Sequence, residues 1–165
     1  MINNNKIVVT GGSGRFAQSL KKIISKYKFI YPKKTQLNIN NSNLNGSKLY
    51  VLGAEGKLEQ IIANLLDNAI SFSPPNSKVL VTCNIKKKDA QLIIEDEGPG
   101  FNEKNIDKIF NRFYSNRPEK FGEHSGLGLN IVRNIIELHG GSIVASNQYG
   151  NEKGARIEVL LPIYK

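Results

Sequence analysis

The sequence predicts an α+β fold built on an antiparallel or mixed sheet. Three observations support it: an amphipathic helix over residues 58–71, a strand pair over 78–85 and 90–95 joined by a lysine turn, and a second helix over 130–139 followed by two more strands. With 165 residues, 39% apolar and 22% charged, the chain has the size and composition of a soluble globular domain with a sizeable core.

The first helix carries a broad apolar face with a helical period, made by Leu58, Ile61, Ile62, Leu65, Leu66, Ala69 and Ile70. Asn64 and Asn68 are four residues apart and therefore share another stripe of the same helix. Amide oxygens suit a hard cation or its waters, and amide nitrogens suit phosphate oxygens. The alternative is a pair of solvated residues on an exposed face. Prolines at 74 and 75 end the helix.

Charge and composition bound the partners. The net charge of +9 favours anionic ligands such as nucleotides, acidic proteins or an anionic membrane surface. No RNA- or DNA-binding motif is present, so nucleic acid is not expected. No apolar run is long enough to span a bilayer and no signal peptide is present, which predicts no direct membrane insertion. Cys83 is the one cysteine, and its strand-like surroundings predict a buried thiol in a reducing compartment.

The N-terminal residues form a separate pattern. A strand over residues 6–10, the glycines of 11–14 and a helix-like run over 15–26 make a phosphate-binding arrangement. The stretch VVTGGSGRFA resembles the first turn of extended short-chain dehydrogenases/reductases, which bind a dinucleotide there. That resemblance covers residues 5–31, and the further βα units of a complete dinucleotide domain do not follow. We therefore expect residues 1–40 to be an N-terminal βα extension: a remnant, a fusion or an extra unit packed on a main domain over 41–165.

The second predicted strand of the pair runs into a candidate ligand site. Asp96 stands at the strand end and is followed by Gly98 and Gly100, which let a backbone approach a ligand closely. An ionised Asp96 only accepts hydrogen bonds, so it suits an exocyclic amine. The alternative is an acidic turn.

The chain after this turn predicts packing and then a loop. A short helix over 106–110 leads into the aromatic residues Phe110, Phe113 and Tyr114, which we expect to serve packing rather than chemistry. Residues 115–125 are polar and rich in helix breakers, and their length is typical of an active-site lid. Arg117 in this loop either reaches a phosphate or is solvated, and His124 is interpreted as solvated.

A second anion-binding site is predicted at the end of this loop. Small residues over 126–129 open the helix of residues 130–139, and N–H groups at a helix start attract anions. A strand over 142–146, a turn, and a last strand over 155–161 with alternating apolar residues complete the chain.

Taken in order, these motifs are specific. N-L-L-D-N-A, D-E-G-P-G-F, I-F-N-R-F-Y, and G-L-G-L before a helix ending in L-H-G-G strongly resemble the ATP-binding catalytic domain of sensor histidine kinases, part of the GHKL or Bergerat-type ATPase superfamily. They match that family's N box, first glycine box, F box and second glycine box. The resemblance covers residues 47–163.

The resemblance implies a two-layer α/β sandwich with helices on one face of a mixed sheet, binding ATP and Mg²⁺. It implies that Asn68 ligates the Mg²⁺ that bridges the phosphates, with Asn64 beside it as a catalytic residue and possible second metal ligand. Asp96 would accept from the adenine amino group, and Gly98 and Gly100 would admit the base. Residues 115–125 would be the ATP lid. The other implied nucleotide contacts are Arg112, Tyr114, Arg117, Ser125, Gly126, Leu127, Gly128 and Leu129.

Two departures from the family pattern matter. Ser71 stands where many members carry a basic residue, and either Arg112 or Arg117 is the candidate replacement. No phosphoacceptor histidine segment precedes residue 49, and neither His124 nor His139 suits that role. We therefore expect the chain to bind ATP as a monomer without phosphorylating itself. The acceptor histidine and a response regulator would come from other segments or chains. The expected location is cytoplasmic, in native context behind a membrane sensor.

Three other functions compete with a histidine kinase. A nucleotide-binding regulatory module of the same superfamily would share every motif and transfer nothing. An ATP hydrolase related to gyrase, chaperones and mismatch-repair proteins would carry a Glu four residues before the metal-binding Asn, where this chain has Asn64. A dinucleotide oxidoreductase would need a complete fold and an acidic residue after its second strand, and both are missing.

Overall fold

A computed structural model describes residues 6–10, 39–40, 50–51, 55–102, 104, 106–114, 126–148 and 153–164. These residues form seven strands, two α-helices and one short 3-10 helix. The strands are β1 (Lys6–Thr10), β2 (Ile39–Asn40), β3 (Tyr50–Val51), β4 (Lys78–Lys86), β5 (Asp89–Asp96), β6 (Ser142–Asn147) and β7 (Ala155–Tyr164). The helices are α1 (Glu55–Phe72), α2 (Gly128–Leu138) and the 3-10 helix Ile106–Phe110.

The strands make one mixed sheet in the order β2-β1-β4-β5-β7-β3, with β6 also paired to β7. β1 runs parallel to both β2 and β4, with Lys6 opposite Lys78, whereas β4, β5, β6 and β7 pair antiparallel. The predicted strand over residues 6–10 is confirmed, and it adds to the edge of the same sheet. The predicted helix over 15–26 lies outside the described residues.

Helix α1 packs its predicted apolar face onto this sheet. All seven residues of that face are buried, and Ile62 and Leu66 are completely inaccessible. Each such side chain contributes about 2 kcal/mol when it leaves water. Ser73 closes the helix by donating from Oγ to the Ala69 carbonyl oxygen at 2.6 Å, and the two prolines follow. The apolar stripe of α1 is therefore the centre of the core.

The strand pair supplies the other side of the core. In β4 and β5 alternate residues are buried, and Val81 lies opposite Ile94 in the register. The predicted turn is confirmed, with Lys87 at φ 59° and the strands closing at the pair Lys86 and Asp89. Cys83 is buried in β4 as expected, and burial raises the pKa of its thiol to about 12.

The face of the sheet opposite the helices carries a polar network. Glu158 of β7 accepts from Lys86 Nζ at 2.7 Å, from Gln91 Nε2 at 2.7 Å and from Arg156 at 2.8 Å. Arg156 also pairs with Glu95 at 3.3 Å. The buried residues of β4, β5 and β7, apart from Ala90 and Asp96, belong to the cluster shared with α1 and α2. The described residues thus form a helix layer on one face of a mixed sheet, which confirms the predicted α+β sandwich.

Several boundaries differ from prediction. Helix α2 already begins at Gly128, so Gly128 and Leu129 of the predicted anion-binding site belong to its first turn. β7 continues to Tyr164 through Pro162, which pairs with Asp89 and lies beyond the last β7 residue that pairs with β6. Because β6 has already ended there, the N–H that proline lacks is not needed for a hydrogen bond to β6. Phe110 is buried as expected, but the packing prediction was wrong for Phe113, which is 75% exposed at φ 60°. No helix among the described residues has the length and apolar character needed to cross a membrane.

Candidate functional site

A cavity of about 450 Å³ opens between α1, α2 and the end of β5. It brings together the segments that the sequence singles out as ligand-binding: the polar stripe of α1, the turn after Asp96 and the start of α2. Its polar and glycine lining consists of Asn64, Asp67, Asn68, Asp96, Gly100, Asn102, Tyr114, Gly126 and Gly128. Its apolar lining includes Leu65, Phe72, Ile94, Phe101, Ile109, Leu127, Leu129, Ile131 and Ile157.

Asp96 is the buried charge of this cavity, with 6% of its surface exposed. Its Oδ1 atom accepts from the N–H of Gly98 at 2.8 Å and from the N–H of Ala155 at 3.2 Å. Burial raises the pKa of the Asp96 carboxyl, and these two N–H groups oppose the rise. Because both hydrogen bonds from described residues go to Oδ1, the second carboxylate oxygen is the acceptor that a ligand in the cavity can use.

Gly98 lies against the Asp96 carboxylate, to which its N–H donates, and does not itself line the cavity. A β-carbon at position 98 would stand 2.8 Å from Asp96 Oδ1 and 2.8 Å from the Phe72 carbonyl oxygen at the end of α1. No side chain fits at that separation, so only glycine lets the turn bring its N–H onto the carboxylate. The glycine predicted here from sequence therefore has a steric cause in the structure.

Asn64 presents one atom of its carboxamide to the cavity. Its Nδ2 atom donates to the Gln60 carbonyl oxygen at 3.0 Å, one turn earlier in α1. This bond assigns the two ends of the Asn64 carboxamide, because the Gln60 carbonyl oxygen only accepts and must therefore face the Nδ2 donor. The Oδ1 atom points the other way: a β-carbon at Gly128 would lie 3.4 Å from it. The amide oxygen of α1 and the first turn of α2 thus face each other.

The start of α2 carries N–H groups that no side chain caps. The preceding residue, Leu127, makes no side-chain hydrogen bond to the helix, and the first turn contains no acidic residue. Uncapped N–H groups and the positive end of the helix dipole attract an anion. Residues 126–129 all line the cavity, so this donor set faces the same space as Asn64 and Asp96.

The oxygen atoms on α1 decide what metal could be held here. Asn64, Asp67 and Asn68 lie on neighbouring turns and offer only oxygen as a metal ligand. Throughout the described part of the chain, no three His, Cys, Asp or Glu side chains come together as a metal cage. This donor set fits a hard cation that keeps waters and shares ligands with a phosphate, as Mg²⁺ does, and it does not fit Zn²⁺.

The remaining predicted site residues divide into three groups. Tyr114 lines the cavity and is half-buried. Arg112 is exposed and is not part of the lining, so the structure does not bring it to the cavity. Arg117 and Ser125, with the whole of the predicted lid over 115–125, lie outside the described residues. His139, predicted not to be an acceptor, closes the C-terminus of α2 with Nδ1 2.6 Å from the Ile135 carbonyl oxygen.

Sequence reasoning missed the contacts made by the segments around β6 and β7. Asn147, Gln148 and Ala155 all hydrogen-bond to the turn that starts at Asp96. The sequence assigns them to a strand end and a turn, and no motif distinguishes them. The only sequence signal was the polarity of Asn147 and Gln148 near glycines, which is common in any loop, and Ala155, which uses its backbone N–H, carried none.

Comparison with known families identifies this arrangement. Residues 53–165 match the family described as histidine kinase-, DNA gyrase B- and HSP90-like ATPase. The chain belongs to this family. The matched region thus starts before α1 and includes every described element from α1 to β7, whereas β1, β2 and β3 precede it.

Curated sensor kinases have sequences similar to that of this domain. The domain is 44% identical over 118 residues to the sensor protein ChvG of Rhizobium meliloti, a match that covers 68% of this chain and 20% of ChvG. It is 36% identical over 120 residues to the sensor protein kinase PmrB of Pseudomonas aeruginosa, covering 73% of this chain and 25% of PmrB. The chain therefore spans a fifth to a quarter of the length of these relatives. The predicted resemblance to histidine kinase catalytic domains is confirmed.

Solved structures agree on the fold. The mycobacterial sensor histidine kinase MprB superposes with a TM-score of 0.75 at 24% identity, covering 89% of this chain and 95% of that one. Full-length ShkA, crystallised in complex with AMPPNP, superposes with a TM-score of 0.57 at 27% identity over 70% of this chain and 23% of ShkA. The ATPase domain described here has the fold of histidine kinase catalytic domains.

Proposed function

We propose that the chain is the ATP-binding catalytic domain of a two-component sensor histidine kinase. In this proposal it binds Mg-ATP and donates the γ-phosphoryl group to a histidine on a separate dimerisation segment. One observation carries the proposal: a single cavity of about 450 Å³ has a buried carboxylate at one end and an uncapped helix start facing an amide oxygen at the other. An adenine nucleotide has the matching chemistry, with an amine on its base and a chain of anionic phosphates.

The base binds at the Asp96 end. The free carboxylate oxygen accepts from the adenine amino group, and the apolar lining from Ile94, Phe72 and Ile157 excludes water around the ring. Gly98 lets the turn approach the carboxylate, and Gly100 lets the turn approach Asn147. Tyr114 lines one side of the cavity.

The phosphates bind at the α2 end. The N–H groups of residues 126–129 donate to phosphate oxygens, and the Asn64 amide oxygen faces them across the cavity. Asn68, with Asn64 as a second candidate, would hold a Mg²⁺ ion, whose charge neutralises the phosphates when it is bound. Phosphoryl transfer depends mainly on positioning and electrostatics, which the rigid pairing of α1 and α2 supplies. Arg112 does not line the cavity, so Arg117 is the candidate for further positive charge.

The other reactants come from outside the described site. The relatives are several times longer than this chain, so the phosphoacceptor histidine and the response regulator are assigned to other segments or chains. The domain works on the cytoplasmic side of a membrane sensor and is a monomer by itself. We divide the chain into an N-terminal βα extension over 1–40 and the catalytic domain over 41–165. The family match begins at residue 53, inside the proposed catalytic domain.

Titration calorimetry tests the nucleotide site. The purified chain is titrated with a non-hydrolysable ATP analogue, with and without Mg²⁺, beside the variants Asn68→Ala and Asp96→Ala. The proposal predicts Mg²⁺-dependent binding that both variants lose, and no binding of NADH. An absence of ATP binding by the unmodified chain would reject the nucleotide site, and binding of NADH in its place would reject our interpretation of residues 1–40.

A second experiment separates a kinase from a regulatory module. The chain is mixed with a histidine-bearing dimerisation segment from a related sensor kinase and with γ-labelled ATP. Label on the histidine supports phosphoryl transfer. ATP binding with no label on several such segments favours the non-catalytic nucleotide-binding module, the alternative that shares every motif of this site.

A further inference from the structure

We propose that Asn147 and Gln148 are positioning residues that hold the base loop, residues 96–101, in the shape that selects adenine over guanine. The inference rests on the proposed nucleotide-binding function and assigns part of its base selectivity to a segment outside the family's motifs. Neither residue lines the cavity, so both act through the loop that does.

Asn147 holds the far end of the base loop with both atoms of its carboxamide. Its Oδ1 atom accepts from the Phe101 N–H at 2.6 Å, and its Nδ2 atom donates to the Phe101 carbonyl oxygen at 3.0 Å. The side chain therefore satisfies both backbone groups of one residue, as a neighbouring strand would. Aspartate lacks the donor and alanine lacks both atoms, so no smaller change preserves the pair of bonds.

The contact between Asn147 and the loop is close as well as polar. A β-carbon at Gly100, whose φ is +74°, would stand 2.7 Å from Asn147 Oδ1. The carboxamide thus lies directly against the loop backbone. The loop cannot move towards β6 without displacing it.

Gln148 holds the near end of the base loop. Its Nε2 atom donates to the Asp96 backbone oxygen at 2.8 Å, and its own N–H donates to the Gly154 carbonyl oxygen at 3.1 Å. The next residue after Gly154, Ala155, donates its N–H to the Asp96 carboxylate. The main chain and the side chain of Asp96 are therefore both held from the β6–β7 side.

Base selection depends on this rigidity. Adenine presents an amine to the carboxylate, whereas guanine presents a carbonyl oxygen at the same ring position, and two acceptors repel each other. A carboxylate that can swing away avoids that repulsion, so a loose loop discriminates poorly. Because Asp96 is held at its backbone and at Oδ1, its carboxylate cannot move away from the guanine carbonyl oxygen, and the repulsion between them disfavours guanine.

The test uses the full chain with Asn147→Ala and Gln148→Ala, and Gln91→Ala as a matched control. Gln91 makes a hydrogen bond of similar length, 2.7 Å, to Glu158 on the opposite face of the sheet. Calorimetry with non-hydrolysable ATP and GTP analogues gives the affinity ratio, and thermal unfolding gives stability. We expect Asn147→Ala and Gln148→Ala each to lower the ATP-to-GTP affinity ratio about tenfold, which is the effect of losing one or two hydrogen bonds. Gln91→Ala should keep the ratio.

A second measurement follows the loop directly. The Phe101 amide should exchange its hydrogen faster in Asn147→Ala than in the unmodified chain or in Gln91→Ala. If the unmodified chain binds ATP and both Asn147→Ala and Gln148→Ala keep its ATP-to-GTP affinity ratio, this inference is overturned and the proposed function is not. A loss of stability with no change in ratio would also overturn this inference, because that is the result of a purely structural role. An unmodified chain that binds neither analogue would instead overturn the proposed function and this inference with it.

Discussion

Gly128 at the start of α2 faces Asn64 of α1 so closely that a β-carbon on the glycine would lie 3.4 Å from the amide oxygen. That separation is an ordinary van der Waals contact, so the backbone tolerates a side chain there. The cavity that both residues line is nevertheless where the proposed phosphates bind. Fold and function therefore make opposite demands on position 128.

Gly128→Ala should accordingly keep the fold and weaken ATP binding. Alanine is a better helix former than glycine by up to about 1 kcal/mol, which raises the Tm by roughly 2–4 °C in a chain of this size. The added methyl group fills the gap beside Asn64, so affinity for an ATP analogue should fall at least about tenfold. Calorimetry and thermal unfolding on the same sample measure both effects.

Gly56→Ala is the control for that variant. Gly56 also lies near the start of a helix, and nothing would stand within 4 Å of its β-carbon. It should raise the Tm similarly and leave ATP affinity unchanged. Equal affinities for both variants would show that no phosphate occupies the space beside Asn64.

Asp96→Asn should remove nucleotide binding without destabilising the domain. Because burial raises the pKa of Asp96 above its ordinary 3.8, ionised Asp96 costs stability above that pH, and the cost disappears as the carboxyl is protonated. Asparagine keeps an acceptor for the N–H groups of Gly98 and Ala155 and carries no charge. We expect a Tm at or above that of the unmodified chain at pH 7, a difference that narrows towards pH 4, and loss of binding by the ATP analogue.

Glu158→Gln should lower stability on the opposite face of the sheet. Burial alone would raise the pKa of Glu158, but hydrogen bonds from Lys86, Gln91 and Arg156 together lower it to about 2. A lowered pKa stabilises the folded state fully above the ordinary value of 4.5, and this stabilisation is lost as the pH falls towards 2. The Tm of the variant should be about 3 °C lower at pH 7, and the two proteins should converge in acid.

Glu137→Gln provides the comparison for Glu158. Glu137 pairs with Arg133 at 2.9 Å on the exposed surface of α2, a geometry that contributes only about 0.3–0.5 kcal/mol. Its replacement should change the Tm by less than the replacement of Glu158. If both variants behave alike at pH 7, the network around Glu158 contributes no more than one surface ion pair.

Cys83 should be unreactive in the folded protein. Burial raises its thiol pKa to about 12, so almost no thiolate forms at pH 8, and β4 shields the sulfur. A chromogenic disulfide reagent should label no thiol in native buffer and one thiol per chain in urea. Rapid labelling in native buffer, at a rate near that of free glutathione, would contradict the burial of β4.

The sequence predicts most of the helix and strand pattern because the physical signals are local. The seven apolar positions of α1 have a helical period, and the alternation in β4 and β5 identifies a half-buried strand pair. Asp96 could be placed at the end of a strand because two glycines follow it. Such features depend on neighbours within about ten residues, which a single sequence contains.

The missed features depend on residues that are distant along the chain. Asn147 meets Phe101 46 residues away, and Gln148 meets Asp96 52 residues away. No periodicity identifies which loop amide completes which backbone group. The exposure of Phe113 was missed for a similar reason, since an aromatic residue beside a buried Phe110 is expected to pack unless the backbone turns it outward, as φ 60° does here.

The position of β7 has a consequence for how this domain is made in the cell. β7 lies between β5 on one side and β6 and β3 on the other, yet it follows all of them in the chain. Ribosomes release residues in order, at about 5–20 per second. A nascent chain that has not reached residue 155 lacks the strand that joins β5 to β6 and β3, and it lacks the N–H that holds Asp96. Translation must therefore pass β7 before a nucleotide can be retained, and a ribosome stalled earlier would present a chain without its binding site.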